Sequence, residues 1–197
     1  LILVRFFLKK IVNNFCGTKE WEQDSFFQKY SDKLLIINNA NSASSELLIK
    51  EINPDLIILS NPRILKEKII RIPNIGILNA HPGLLPKYRG VDVIPWAIYN
   101  GDEIGVTIHF IDKSIDTGEI VKQKKIVINS RDTLKILEEK ANQLSGILMA
   151  EVVKDYLEGK DIELKSNKGG KQYYRMNFNT LRKVKHILKR RSDFEET

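Results

Sequence analysis

The chain has one cysteine, Cys16, so no intramolecular disulfide can form, and neither CxxC nor HxxxH spacing occurs. A reducing, cytoplasmic setting is the expectation. Histidine is also scarce: His81, His109 and His186 are the only three. With so few soft ligands and no ligand spacing, no metal centre is expected. Long hydrophobic runs are missing too. The opening Leu1-Ile2-Leu3-Val4-Arg5-Phe6-Phe7-Leu8 is too short to span a bilayer and lacks a basic start and a small-residue cleavage site. It reads as a first strand or part of a helix, and no membrane partner is expected. Leu1 stands where an initiator Met would, which is read as a trimmed N-terminal strand and loop.

The composition is that of an ordinary globular chain, 42% apolar and 29% charged. A length of 197 residues suits one sizeable domain with a small addition, here placed at 1–160 and 161–197. Trp21, Phe26, Phe27 and Tyr30 lie scattered among charges and read as core or loop anchors rather than a base-stacking platform. Lys33 to Ile37 reads as a strand. Asn41 to Ile52 reads as a helix with Ser42 or Ser44 as N-cap and Leu47, Leu48 and Ile52 on one face. Asn53-Pro54 ends it, and Asp55 to Ser60 is a buried strand. Alternation of this kind predicts an α/β fold: an open, mostly parallel twisted sheet with flanking helices and right-handed crossovers.

The richest stretch is Asn79-Ala80-His81-Pro82-Gly83-Leu84-Leu85-Pro86-Lys87-Tyr88-Arg89-Gly90, which comes after the apolar run Ile75 to Leu78. Residues i and i+2 of an extended chain share a side, so Asn79 and His81 can address one point at the strand's end. Pro82 and Gly83 stop the strand, and Pro86 and Gly90 keep the next segment irregular. A carboxamide can donate to a carbonyl oxygen that is gaining charge, and an imidazole can move protons near neutral pH. A turn in which both side chains merely satisfy backbone groups is the plain alternative.

A second strand, Gly105 to Ile111, runs into the loop Asp112-Lys113-Ser114-Ile115-Asp116-Thr117-Gly118-Glu119 and then a third strand, Ile120 to Ile128. Asp116 stands before a Thr-Gly turn, where its carboxylate can orient His81 or order a proton-relaying water. His109 shares a strand face with Thr107 and reads as a structural imidazole, away from the loop tip. Val93 to Tyr99 reads as a helix with Pro95 in its first turn and Asn100-Gly101 after it. Ser130 to Gly159 is the longest helical pattern, with Leu134, Leu137, Ala141, Leu144, Leu148, Val152 and Tyr156 on one stripe.

NAHPGLLPKYRG followed by GVTIHFIDKSIDTG resembles the folate-dependent formyltransferases, over roughly residues 50 to 130. That group includes methionyl-tRNA formyltransferase, glycinamide ribonucleotide transformylase and the nucleotide-sugar N-formyltransferases. The resemblance implies a Rossmann-like catalytic domain and a catalytic trio at Asn79, His81 and Asp116. It implies 10-formyltetrahydrofolate as co-substrate, with the pterin held by Arg63, Ile64 and Leu65 and by the loop Ile111, Asp112, Lys113, Ser114. Pro82, Gly83, Lys87, Tyr88 and Arg89 are candidates to meet the amine substrate. Within the trio, Asn79 would stabilise the oxyanion, His81 would manage protons, and Asp116 would raise the His81 pKa through its charge. The family's glycine-bearing N-terminal loop has no counterpart beyond Gly17.

The acceptor is chosen by difference. Ile115-Asp116-Thr117-Gly118 departs from the Leu-Asp-Gly-Gly of the glycinamide ribonucleotide branch, and residues 161–197 are too few for a tRNA-gripping domain. A nucleotide-linked dideoxy amino sugar, as used in surface polysaccharide, O-antigen included, is therefore the expected substrate. Formylation of methionyl-tRNA or glycinamide ribonucleotide, release of the formyl group to water, and a non-catalytic folate-binding or polyanion-binding adaptor are the alternatives.

Residues 160–197 hold 11 Lys or Arg against five Asp or Glu, six of the chain's seven net positive charges. Lys168-Gly169-Gly170-Lys171 reads as a flexible turn. Leu181, Val184, Ile187 and Leu188 stripe a basic helix. Docking on its own domain is the default, with a homodimer contact or nucleic acid as the other fates of such a surface.

Overall fold

The computed structural model describes residues 39–59 and 64–193. The expected opening strand or helix, the aromatic stretch Trp21 to Tyr30, the strand Lys33 to Ile37 and Arg63 lie outside the described residues. The chain divides into two compact units, one of Leu1–Ile57 with Arg63–Gly76, the other of Ile58–Pro62 with Ile77–Thr197.

The first unit contains helices α1 (Ala43–Ile52) and α2 (Glu67–Ile70) and the start of strand β1 (Leu56–Leu59). Ser42 caps α1 as the sequence suggests, its hydroxyl accepting from the Ser45 amide at 3.1 Å. Asn53 closes the helix in the left-handed region (φ 45°), its N–H reaching the carbonyls of Ile49 and Lys50, and Pro54 prevents continuation. Asn41 ties the α2 approach down, donating to Ile64 O and accepting from Lys66 N–H.

The second unit carries Asn79, His81 and Asp116. Its sheet runs β1-β2-β4-β5, with β2 Gly76–His81, β4 Ile104–Phe110 and β5 Ile120–Ile126. The α/β class with flanking helices is as read from the sequence. The ladders joining β2 to β4 and β4 to β5 run antiparallel, and the parallel stretch expected over residues 33–60 begins with a strand outside the described residues. Register matters more than direction here. Asn79 faces His109 and His81 faces Thr107 across the β2–β4 ladder. Opposed residues of a ladder share a face, so these four polar side chains crowd together. The intervening Leu78, Val106 and Ile108 are fully buried and supply core on the other face.

Helix α4 (Leu134–Leu157) packs along β4 and β5, as its stripe requires. Leu137, Ala141, Leu148 and Val152 are buried, Thr133 caps its start, and Gly159 comes after its end with φ 67°. Helix α3 (Val93–Tyr99) forms as expected. Asp92, at its N-cap position, caps nothing and instead accepts from the Met176 amide at 2.8 Å.

The residues beyond 160 do not trail off. Lys165 bridges Ile120, and Lys168–Lys171 leads into a short strand β6 (Lys171–Tyr173) rather than remaining a free turn. β6 pairs in parallel with β3 (Tyr88–Gly90), Arg89 opposite Gln172. Helix α5 (Phe178–Asp193) buries Val184 and Leu188 and docks on α3. No described helix is long and apolar enough to cross a membrane.

Candidate active site

Asn79 and His81 lie at the end of β2, each 3% exposed, and Asp116 reaches His81 from the loop that joins β4 to β5. Asp116 Oδ2 lies 3.5 Å from His81 Nδ1, and its Oδ1 lies 3.7 Å from His109 Nε2. One carboxylate thus serves two imidazoles, whose ring centres are 6.1 Å apart and nearly perpendicular. With 15% of its side chain exposed, Asp116 is the member of the cluster that meets solvent. Asp116 thus lies beside both His81 and His109, and Asn79 joins the cluster through its bond to His109.

Backbone carbonyls fix both tautomers. His81 Nε2 is 2.7 Å from Tyr88 O, and His109 Nδ1 is 2.7 Å from Phe110 O. A carbonyl only accepts, so each of those nitrogens carries a proton. In the neutral rings His81 Nδ1 and His109 Nε2 are then the bare nitrogens. His109 Nε2 takes its hydrogen from Asn79 Nδ2 at 3.1 Å, which orients the carboxamide and leaves Asn79 Oδ1 buried without a partner. A buried acceptor without a partner is costly, and this oxygen is free to accept from any donor that reaches it.

Burial lowers the His81 pKa below its ordinary 6.5, and this outweighs the opposing pull of Asp116 and of the Tyr88 carbonyl. The Asp116 charge does push that pKa upward, as expected, but it offsets only part of a larger desolvation effect. His109 moves the same way, lowered by burial and by His81, with Asp116 opposing. Both rings stay neutral near pH 7, the state in which a proton can be accepted.

The loop after His81 is built around these contacts. Thr107 Oγ1 donates to Gly83 O at 2.6 Å, accepts from Leu85 N–H, and is met by Gln123 Nε2 at 2.8 Å. A Cβ at Gly83 would sit 2.7 Å from His81 Nε2, so only glycine lets the chain pass this close to the ring. Gly90 donates its N–H to Asp116 Oδ2 at 2.8 Å. With φ 97° and the Tyr173 carbonyl where a Cβ would stand, it too admits no side chain without distortion.

The remaining candidates fall apart into different roles. Tyr88, 1% exposed, stacks on Tyr173 and bonds through its hydroxyl to Asp102, so its side chain is scaffold and its carbonyl is the part that touches His81. Lys87 is exposed and paired with Asp102 at 2.7 Å. Arg89 is half-buried and donates to Gly170 O. Pro82 is half-buried beside His81. Ile111 donates its N–H to Ile77 O at 2.7 Å, Asp112 accepts from Ser114 N–H and Thr117 Oγ1, and Lys113 and Ser114 are exposed. Ile64 is 77% exposed in the first unit, with Leu65 half-buried beside it in sequence.

The sequence sets His109 apart from the site by its distance from the loop tip, and the structure corrects this. The loop folds back so that Asp116 contacts its ring. Only the β2–β4 register reveals the contact, and a single sequence carries no register signal. Asn167, which donates to Asp116 O and Gly118 O, likewise has no signal beyond a lone Asn in a basic stretch. Among the described residues no group of three His, Cys, Asp or Glu side chains is placed to hold a metal ion.

A family model described as formyl transferase matches residues 11–153, most of the chain. The chain belongs to the formyl transferase family. It is 40% identical over 114 residues to a methionyl-tRNA formyltransferase of Caldanaerobacter subterraneus, an alignment covering 57% of this chain and 37% of that protein. The chain thus spans little more than a third of the curated relatives it matches. Among solved structures it is similar to the formyltransferase PseJ from Anoxybacillus kamchatkensis, crystallised with UDP-4,6-dideoxy-4-formamido-L-AltNAc and tetrahydrofolate. That likeness has a TM-score of 0.62 and 28% identity, covering 80% of this chain and 82% of that one. A phosphoribosylglycinamide formyltransferase from Streptococcus pneumoniae aligns with a TM-score of 0.58 and 25% identity, covering 67% and 80%. Asn79, His81 and Asp116 all lie inside the span matched by the family model.

Proposed function

We propose that the protein transfers a formyl group from 10-formyltetrahydrofolate to a primary amine, and that the amine belongs to a nucleotide-linked dideoxy amino sugar. The observation that carries the first part is the convergence of Asn79, His81 and Asp116, with Asp116 between two neutral imidazoles.

The residues suit a formyl donor. The unpaired buried Oδ1 of Asn79 can accept an N–H of the incoming amine, and the second N–H of its Nδ2 can donate to the formyl oxygen as charge gathers there. In the reaction a bond forms between the amine nitrogen and the formyl carbon, and the bond from that carbon to the folate nitrogen breaks. One amine proton leaves and one proton arrives on the folate nitrogen, so the exchange balances. His81, whose bare Nδ1 lies 3.5 Å from Asp116, accepts the departing proton and the Asp116 charge stabilises the imidazolium that forms, before the proton passes on to the folate nitrogen. The pterin contacts assigned to Arg63, Ile64, Leu65 and Ile111 to Ser114 rest on the family resemblance.

For the acceptor, the amino-sugar reading is supported by the likeness to PseJ, which extends over four-fifths of both chains. Methionyl-tRNA is the second reading, favoured by the 40% identity to a methionyl-tRNA formyltransferase over a shorter stretch. Mass spectrometry with 10-formyltetrahydrofolate and UDP- or dTDP-linked 4-amino-4,6-dideoxy sugars tests the choice. A formamido sugar nucleotide is the expected product. Formylated methionyl-tRNA alone would transfer the assignment to the second reading, and formate released without any amine would make the protein a hydrolase. Failure to bind a folate analogue, with salt-dependent retention on RNA, would leave a polyanion-binding adaptor instead.

A further inference from the structure

Asn167 lies well beyond the two motifs, yet it is 5% exposed and directs its amide nitrogen into the catalytic loop. Nδ2 donates to Asp116 O at 3.0 Å and to Gly118 O at 2.8 Å. Both carbonyls belong to the loop that presents the carboxylate. Asp116 itself sits at φ 51°, a left-handed conformation that a residue with a Cβ adopts only under local constraint. The carboxylate has a separate restraint, the Gly90 N–H on Oδ2.

The other end of Asn167 leads the same way. Its Oδ1 is buried and has no partner. A side chain kept only for packing would do better as an apolar residue of similar shape, because an unpaired buried carbonyl is unfavourable. What the asparagine supplies is a forked donor: two N–H groups from one nitrogen, aimed at two carbonyls of a single turn. Nothing smaller or apolar supplies both.

We propose that Asn167 is a positioning residue for the reaction: it clamps the backbone of the Asp116 turn so that the carboxylate stays between His81 and His109. The inference rests on the reading of Asp116 as part of the reacting cluster. It makes the stretch after α4 part of the working site, since the same stretch runs on into β6, whose Tyr173 carbonyl accepts from Val91 N–H beside Gly90. Asp116 is therefore held at its backbone and at its carboxylate by elements that both depend on residues past 160.

The experiment compares Asn167→Ala, Asn167→Ser and Asn167→Gln in the full chain, by NMR titration of the His81 and His109 rings and by steady-state formyl transfer. In Asn167→Ala the His81 midpoint moves down, in the direction of Asp116→Asn, because the carboxylate no longer stays beside the ring. Asn167→Ser shifts less, and Asn167→Gln returns toward the parent. Turnover in Asn167→Ala falls by roughly 10- to 100-fold with the KM for the folate little changed, the scale of a small misplacement at a reacting group.

A folded Asn167→Ala protein with parental His81 midpoint and turnover overturns the proposal. So does a loss of thermal stability shared by all three variants with no change in midpoint. Where the Ala protein does not fold, the Ser protein is read in its place. The titrations need neither donor nor acceptor, so a parent protein that transfers no formyl group defeats the functional reading without touching this result.

Discussion

His109 stands directly opposite Asn79 across the β2–β4 ladder, and its Nε2 accepts from Asn79 Nδ2 at 3.1 Å. The carboxamide is thereby turned with its nitrogen toward the ring and its oxygen into unpaired space. Replacing His109 with Leu removes the acceptor and leaves a buried amide N–H without a partner. A loss of about 1–3 kcal/mol is expected from that group alone, read as a fall in the chemical-denaturation midpoint. Turnover should fall with it, because the carboxamide loses its fixed orientation; unchanged kinetics in a folded His109→Leu protein would assign the ring to packing.

Removal of the trio members should affect rate more than fold. His81→Ala and Asp116→Ala are each expected to cut turnover by roughly 10²–10⁴-fold, the usual span of acid–base and electrostatic effects. Asn79→Ala should cost on the order of 10²–10³-fold. Circular dichroism of each variant should match the parent. Normal turnover in both His81→Ala and Asp116→Ala would show that the cluster is not where the chemistry happens.

The two buried rings make stability depend on pH with a definite sign. Both have folded-state pKa values below the ordinary 6.5, so between the folded value and 6.5 the unfolded chain binds more protons than the folded one. Their contribution is fully present above about pH 6.5 and declines as pH falls. Thermal melts across pH 7.5 to 5 should therefore show a falling Tm. His81→Gln and His109→Gln should each flatten that fall, and a slope untouched by either substitution would mean that carboxylates elsewhere cause it.

Gly90→Ala probes the contact between β3 and β6. A methyl group there meets the Tyr173 carbonyl, at a backbone angle (φ 97°) that alanine rarely adopts. Destabilisation of roughly 1–3 kcal/mol is expected. Turnover should fall further than stability alone explains, because the Gly90 N–H is a donor to Asp116. A variant with parental Tm and turnover would mean that the loop shifts freely.

The sequence was legible where chemistry and spacing coincide. The Asn-x-His pair could be placed on one side of a strand because alternation is local, and Asp116 because it stands in a recognisable Thr-Gly turn. Helices α3 and α4 were legible for the same local reason: Pro95 near a first turn, a repeating apolar stripe, a terminal glycine. Contacts that depend on register or on return of the chain were not. His109 needed the pairing of β4 with β2, Asn167 needed the path of the chain after α4, and Tyr88 needed burial to exchange a ligand-facing role for a carbonyl beneath His81. The upward pull of Asp116 on the His81 pKa was legible, whereas the larger opposing effect of burial was not, since desolvation is a property of the packed interior and has no trace in the order of residues.

The parallel pairing of Lys171–Tyr173 with Tyr88–Gly90 ties chain segments far apart in sequence to one carboxylate. A nascent polypeptide therefore lacks this support for the Asp116 carboxylate until the backbone through Tyr173 has emerged and folded back. A protease fragment ending after α4 would keep every motif residue and still lose both the Asn167 clamp and the strand that backs Gly90.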